Sequence, residues 1–200
     1  MNNMEYNRYM KSPGVVGSMV FFSRMIGVLL FSTSLSAFAQ SGSSNGEWPS
    51  YAADAGSTKY TSLNQINSDN FSQLEIAWRW ASIDADIDFE AALGPDARVG
   101  FGRLQATPLM IDGVVYMLTA LNQVAALDAA SGEMLWSHDP KIYMSGEPIS
   151  PLGFRHRGVA WWSNGKDSRV LVATNDGYII SLVAETGEVD PAFAGGRVDM

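Results

Sequence analysis

Val114-Val115-Tyr116-Met117-Leu118-Thr119 is followed, 55 residues later, by Arg169-Val170-Leu171-Val172-Ala173-Thr174, and these two stretches decide the fold. The same offset relates residues 124–129 to residues 179–184 without a gap, and a glycine-containing turn follows each copy. Each copy therefore consists of two apolar, β-branched runs separated and ended by turns, which is typical of antiparallel strands. A period near 50 residues built from short strands indicates a β-propeller blade, which must stack on neighbouring blades to cover its faces.

The repeat predicts an all-β protein made of four-stranded antiparallel blades, which form an incomplete β-propeller within this chain. We expect one blade at about residues 104–140 and a second at about residues 157–198. The fourth strand of the second blade is predicted to be weak, because Asp190-Pro191 stands where the first copy has a tryptophan-containing strand. Residues 195–200 show no strand pattern, so no closing strand is expected there.

The remaining predicted strands follow from runs of apolar and β-branched residues. In the blades they are residues 107–111, 114–119, 124–128 and 134–138, and then 158–163, 169–174 and 178–183. Residues 74–80 alternate in hydrophobicity and predict one more strand, with Leu74, Ile76, Trp78 and Trp80 on one face.

The first 39 residues predict an export signal. A basic leader precedes a mostly apolar run that ends in Ala37-Phe38-Ala39, a small-x-small pattern typical of signal cleavage. We therefore expect a periplasmic protein with a signal peptide at residues 1–39, a flexible linker at residues 40–47 and the propeller from residue 48 to residue 200. A membrane anchor is the alternative, although Arg24 leaves an apolar run shorter than the roughly 20 residues of a spanning helix.

Charge and composition exclude several classes of function. The chain carries a net charge of −8, and removing residues 1–39 makes it more acidic, so no nucleic-acid partner is expected. There is no cysteine, which excludes disulfides, thiolate metal sites and cysteine nucleophiles. His138 and His156 are the only histidines, too few for a histidine-based metal site within the chain.

Residues 126–136, Ala-Leu-Asp-Ala-Ala-Ser-Gly-Glu-Met-Leu-Trp, resemble the tryptophan-docking motif of quinoprotein dehydrogenases, the enzymes that use pyrroloquinoline quinone (PQQ). In that motif Asp128 would cap a turn, Gly132 would supply its positive φ angle, and Trp136 would pack between adjacent blades. Further stretches between residues 48 and 198 are similar to the N-terminal portion of the PQQ-dependent alcohol and glucose dehydrogenases. The resemblance implies that the chain holds about two to three blades of a propeller of about eight.

The resemblance also implies a PQQ site on the propeller axis, with Gln105 and Arg157 as cofactor-binding residues. Gln105 precedes Ala-Thr-Pro-Leu, where many members have glutamate, and an amide can both donate and accept a hydrogen bond. The guanidinium of Arg157 suits a carboxylate or a quinone oxygen. The alternatives are a polar residue at the start of a blade and a surface arginine beside Arg155. His156 lies between two arginines that should disfavour its imidazolium form, and a lone loop histidine is more often incidental.

For the whole protein, the resemblance implies oxidation of an alcohol, sugar or polyol, with electrons passed to a quinone or cytochrome. Ca²⁺ is expected to be held by ligands beyond residue 200, so these residues alone, without the rest of the propeller, are not expected to be active. The paired cysteines of alcohol-oxidising members are absent from residues 151–154, which favours sugars, polyols or cyclic acids. The alternative is a non-catalytic propeller of the same repeat that acts as a binding or scaffold module.

Asp84, Asp86 and Asp88 alternate as metal ligands could, but a loop of this composition is more often solvated. We therefore predict no metal site and no catalytic residue within the chain.

Overall fold

The computed structural model describes residues 42–88, 90–91, 104–145 and 156–200. The predicted signal peptide and the cysteine-free stretch at residues 151–154 lie outside the described residues, as does Arg155. Within the described part of the chain, no helix has the length and hydropathy that a membrane crossing requires.

The first blade is a four-stranded antiparallel sheet in which each strand pairs with the next along the chain. Its strands are β1 (Leu109–Ile111), β2 (Val114–Leu118), β3 (Val124–Asp128) and β4 (Met134–His138). Asp112 and Gly113 connect β1 to β2 with φ angles of 50° and 77°, the left-handed pair that a tight two-residue hairpin needs. All four predicted strands are confirmed, with ends that shift by at most two residues.

The second blade repeats the same sheet with β5 (Ala160–Ser163), β6 (Ser168–Ala173), β7 (Tyr178–Val183) and β8 (Arg197–Asp199). The expectation that residues 195–200 hold no strand is wrong, because β8 lies there and pairs antiparallel with β7.

The outer strand of the second blade is interrupted rather than missing. Leu182 forms an isolated bridge with Val189, which keeps the 55-residue offset from the corresponding pair of the first blade. The chain then makes a turn over residues 190–196 and pairs again only in β8. Asp190 begins this turn and forms an ion pair with Arg169 of β6. The inserted turn explains why the repeat pattern fades in the sequence at this point.

The two blades share one apolar core. Tyr116 lies at its centre, with its ring centroid 5.9 Å from that of Trp136 and 5.4 Å from that of Trp161. Its hydroxyl donates to the carbonyl oxygen of Ala184 (3.4 Å), and burial raises the pKa of Tyr116 to about 12. The buried members come from both sheets: Leu109, Ile111, Tyr116, Leu118, Val124, Ala126, Val159, Val170, Val172, Ile180, Leu182 and Ala184. Burial of this shared surface holds the blades together.

The turn after β3 has the geometry that the docking motif predicts. The Oδ1 atom of Asp128 accepts hydrogen bonds from the backbone N–H groups of Ala130 (3.0 Å) and Ser131 (2.7 Å). These bonds favour the charged carboxylate and lower the pKa of Asp128. Gly132 closes the turn with a φ angle of 73°, which a residue with a side chain rarely adopts.

Trp136 of β4 docks on the equivalent turn of the second blade. Its Nε1 atom donates to the carbonyl oxygen of Ala184 (3.0 Å), and its ring lies against Gly187. A Cβ atom at Gly187 would approach the ring to 2.4 Å, so the indole requires glycine at this position. The predicted packing of this tryptophan between blades is confirmed.

Trp78 makes the same kind of contact with the equivalent turn of the first blade. It donates from Nε1 to the carbonyl oxygen of Ala129 (3.0 Å), and its ring lies against Gly132. The predicted strand at residues 74–80 is wrong for the described chain, because this segment pairs with no described strand. Leu74 and Ile76 remain exposed there. Trp78 thus occupies the docking position of an outer strand, although residues 74–80 belong to neither sheet of the described chain.

The segment before residue 62 contacts the inner edge of the first blade. Trp48 exchanges backbone hydrogen bonds with Met110 of β1, at 2.7 and 3.1 Å. The carboxylate of Glu47 accepts from the N–H of Asp112 (3.0 Å), and the N–H of Ser43 donates to Tyr60 (2.9 Å). Three short 3₁₀ helices lie between the paired segments of the described chain: Phe71–Gln73, Ile83–Asp86 and Ile142–Ser145. A fourth, Ala194–Gly196, lies in the turn before β8.

Candidate functional site

The antiparallel order of each blade brings four chain segments to one end of the molecule. The residues that precede β1 and β5 lie at the same end as the turns that follow β2 and β6. We call this the upper end; it comprises residues 104–107, 119–123, 156–158 and 174–177. Loops that a rigid sheet holds at one end are where propellers and other β-folds place their binding residues.

The two inner segments touch through their backbones. The N–H of Thr107 donates to the carbonyl oxygen of Arg157 (2.8 Å). Gly158 has a φ angle of 135°, and a Cβ atom there would lie 2.6 Å from the carbonyl oxygen of Thr107. The close approach of the segments therefore depends on glycine at this position.

Gln105 and Arg157, the two predicted site residues, are placed on these neighbouring segments, and both side chains are exposed. No carboxylate of the described residues forms an ion pair with Arg157, whereas Arg169 is paired with Asp190. The structure thus presents, on two adjoining segments, an amide and a guanidinium that has no carboxylate partner among the described residues, a donor set suited to an anionic, oxygen-rich ligand.

His156, which sequence reasoning treated as incidental, is tied to the second blade. Its Nε2 atom hydrogen-bonds Oδ1 of Asn175, a residue of the turn between β6 and β7. Burial lowers the pKa of His156, partly opposed by the hydrogen bond to Asn175. The neutral form is therefore favoured, as predicted, but the main cause is burial rather than the neighbouring arginines.

Asn175, the partner of His156, is in turn bonded to Asn122 of the first blade. This side chain is fully buried, and its Oδ1 atom accepts from the backbone N–H of Asn175 (3.3 Å). Its Nδ2 atom has no partner among the described residues. Asn122 has a φ angle of 65°, and the residue at the same place in the second blade is Gly177. The signal in the sequence that could have marked this turn was asparagine at the repeat position of Gly177, because glycine and asparagine adopt positive φ angles most readily.

The contact of Asp84 with the turn between β2 and β3 is a second one that sequence reasoning missed. Its carboxylate accepts from Oγ1 of Thr119 (2.6 Å), Nε2 of Gln123 (2.9 Å) and the N–H of Leu121 (3.2 Å). In the second blade the carboxylate that accepts from the equivalent threonine belongs to the turn itself: Asp176 accepts a hydrogen bond from the hydroxyl of Thr174.

The first blade has no aspartate in the corresponding turn, and Asp84 supplies one from another segment. Asp86 and Asp88 are exposed. Among the described residues no group of three histidine, aspartate or glutamate side chains could hold a metal ion.

Residues 48–200 match the family model described as glucose/ethanol/alcohol dehydrogenase, beta-propeller domain, a PQQ family. The chain belongs to this PQQ dehydrogenase family. The quinone-dependent alcohol dehydrogenase, dehydrogenase subunit, of Gluconobacter oxydans is 34% identical over 151 residues, which cover 76% of this chain and 17% of that protein. The quinoprotein glucose dehydrogenase of the same organism is 28% identical over 172 residues.

The fold of this family member agrees with solved relatives. The crystal structure of quinohemoprotein alcohol dehydrogenase from Comamonas testosteroni aligns with a TM-score of 0.55 at 29% identity, over 75% of this chain and 19% of that one. The chain therefore spans about a fifth of the length of its relatives. Membership of the family confirms the predicted all-β propeller fold and the resemblance to PQQ enzymes, and it implies PQQ as the cofactor.

The residues at the upper end fit this cofactor. PQQ carries carboxylates and quinone oxygens, which accept hydrogen bonds and bear negative charge. Arg157 offers charged donors with no carboxylate partner among the described residues, and Gln105 offers an uncharged donor and acceptor on the adjoining segment.

Proposed function

We propose that this chain forms the N-terminal blades of a PQQ-dependent dehydrogenase that oxidises an alcohol, sugar or polyol and passes the electrons to a quinone or cytochrome. The observation that supports the proposal is the backbone hydrogen bond between Thr107 and Arg157, which joins the two chain segments that carry Gln105 and Arg157 at the upper end of the blades. When bound, PQQ supplies the acceptor for the electrons removed from the substrate. The protein residues bind and orient it.

Arg157 has the charge to neutralise a carboxylate of the cofactor or to polarise a quinone oxygen. Gln105 differs from an acidic residue at this position because it can donate a hydrogen bond without adding negative charge beside an anionic ligand. The two residues bind the cofactor but neither is proposed to remove a proton from the substrate. The base and the Ca²⁺ ligands are proposed to lie beyond residue 200.

The names of the relatives support the classes of substrate and acceptor. The Gluconobacter oxydans protein is named as a quinone-linked alcohol dehydrogenase, and that of Thauera butanivorans as a 1-butanol dehydrogenase (cytochrome c). A glucose dehydrogenase belongs to the same set. We further propose a periplasmic location after cleavage at Ala39, which N-terminal sequencing of the exported protein tests.

The experiment uses the product of the complete reading frame that contains these residues. After addition of PQQ and Ca²⁺, reduction of an artificial electron acceptor is measured with primary alcohols, glucose and polyols, and omission of PQQ is the control. We expect PQQ-dependent reduction with one of these substrate classes, and none from residues 1–200 alone. Failure of the complete product to bind PQQ would contradict the proposal and favour a non-catalytic binding propeller.

A further inference from the structure

We infer that His156 is a positioning residue for Arg157: the ring of His156, held by Asn175, fixes the chain segment that presents the guanidinium at the upper end. The role as an aid to cofactor binding rests on the proposed function. The role in fixing the segment does not, because it follows from contacts within the protein.

The first line of support is that Arg157 lies between two anchors. On one side, the imidazole of the preceding residue is bonded to the side chain of Asn175. On the other side, the Arg157 carbonyl accepts from Thr107, and Gly158 packs against the same residue without room for a side chain. The side chain of Arg157 is exposed, so this backbone, rather than packing around the guanidinium, sets the position and direction of its Cα–Cβ bond.

The second line of support is that the anchor of His156 is itself fixed. The N–H of Asn175 donates to Asn122, which is fully buried in the turn of the first blade. The imidazole is therefore connected to the buried part of both blades and not to a free loop. A partly buried polar chain of this kind favours one arrangement of its members, because breaking the bond to Asn122 would leave a fully buried polar group without that partner.

The third line of support is the chemistry of the ring. Oδ1 of Asn175 can only accept, so Nε2 of His156 carries the proton and donates it. Burial favours the neutral ring, which leaves this tautomer with one donor for one acceptor. A side chain of similar reach with an N–H group at its end should therefore replace it, and an apolar or shorter one should not.

The test compares His156→Ala with His156→Gln, whose amide can restore the donor. His138→Ala, at the other half-buried histidine, is the matched control. The first readout is hydrogen exchange of the Thr107 amide, which reports the bond to Arg157 without any cofactor. We expect exchange about three- to tenfold faster in His156→Ala, near-normal exchange in His156→Gln and no change in the control.

The second readout is PQQ affinity in the product of the complete reading frame, measured with Arg157→Ala and the double variant. His156→Ala should weaken binding by about three- to thirtyfold, and it should add nothing when Arg157 is already alanine. An unchanged Thr107 amide in His156→Ala would overturn the inference. Equal and additive losses in the alanine and glutamine variants would also overturn it, because they indicate general destabilisation. If wild-type protein binds no PQQ, the proposed function fails, and the exchange data alone decide the role of His156.

Discussion

Arg157 combines a fixed backbone with an exposed side chain that forms no ion pair among the described residues. Its carbonyl is bonded to Thr107, and the residues on both sides of it are held by contacts with other segments. Loss of the guanidinium should therefore affect a ligand more than it affects the fold, since little of the core depends on an exposed side chain. This separation of binding from folding makes the position suitable for a direct test.

In the product of the complete reading frame, Arg157→Ala should weaken PQQ binding by about 30- to 5,000-fold, because a charged partner of an anionic ligand is removed. Its melting temperature without PQQ should stay close to that of the wild type. The matched control is Arg197→Ala, which removes the same charge from the outermost strand of the second blade, where Arg197 lies over the ring of Tyr178. Titration of PQQ into both variants measures their affinities, and equal values would place Arg157 outside the cofactor site.

At the scale of elements, the turn between β2 and β3 depends on a distant segment. In the corresponding turn between β6 and β7, Asp176 of the turn itself accepts the hydrogen bond of the threonine. In the first blade this acceptor is Asp84, from the 3₁₀ helix Ile83–Asp86. The two blades are therefore equal in strand order but not in what stabilises their upper turns. The carboxylate of Asp84 also attaches the segment after Trp80 to the first blade.

Asp84→Ala should lower the free energy of unfolding by about 2–4 kcal/mol, because three hydrogen-bond donors of the turn lose their acceptor. Exchange of the Leu121 amide should become faster in the same variant. Asp86→Ala, in the same 3₁₀ helix but exposed, is the matched control and should change stability by less than about 0.5 kcal/mol. Urea denaturation measures both, and similar midpoints for the two variants would show that Asp84 contributes no more than a solvated carboxylate.

At the scale of the whole molecule, the described residues give the fold two distinct pH ranges of sensitivity. Burial lowers the pKa of both His138 and His156 below the ordinary value of 6.5. Hydrogen bonds lower the pKa of Asp54, Asp128 and Asp190 below 3.8. Protonation of the histidines therefore changes the free energy of unfolding in mildly acidic solution, whereas protonation of the carboxylates changes it only near pH 4 and below.

We expect the free energy of unfolding to fall as the pH decreases from 7.5 to 5. Below pH 6.5 the unfolded chain binds protons at both histidines more readily than the folded chain does, so acidification favours unfolding. A His138→Gln/His156→Gln variant should show a smaller loss over the same range. Denaturation curves at several pH values measure the slope. An unchanged slope in the double variant would show that other groups dominate the acid response.

The blade architecture follows from the sequence alone, because strand alternation and turn residues are local properties and the 55-residue repeat contains two copies of them. The sequence also predicted Gln105 and Arg157 as cofactor-binding residues; in the structure they precede β1 and β5, and their cofactor role belongs to the proposed function. The insertion before β8 hid the last strand from pattern reasoning, because strand pairing there resumes after a turn that breaks the repeat.

Only the tertiary structure decided which distant residues meet. The bond of His156 to Asn175, the place of Asp84 in a turn 35 residues away, and the docking of Trp78 on Gly132 each join segments far apart in the chain. No local periodicity encodes such contacts, since they depend on how the blades stack and where their turns come to lie. The same limit explains the failed strand at residues 74–80: alternation shows that a segment can be extended, but a strand exists only where a partner supplies its hydrogen bonds.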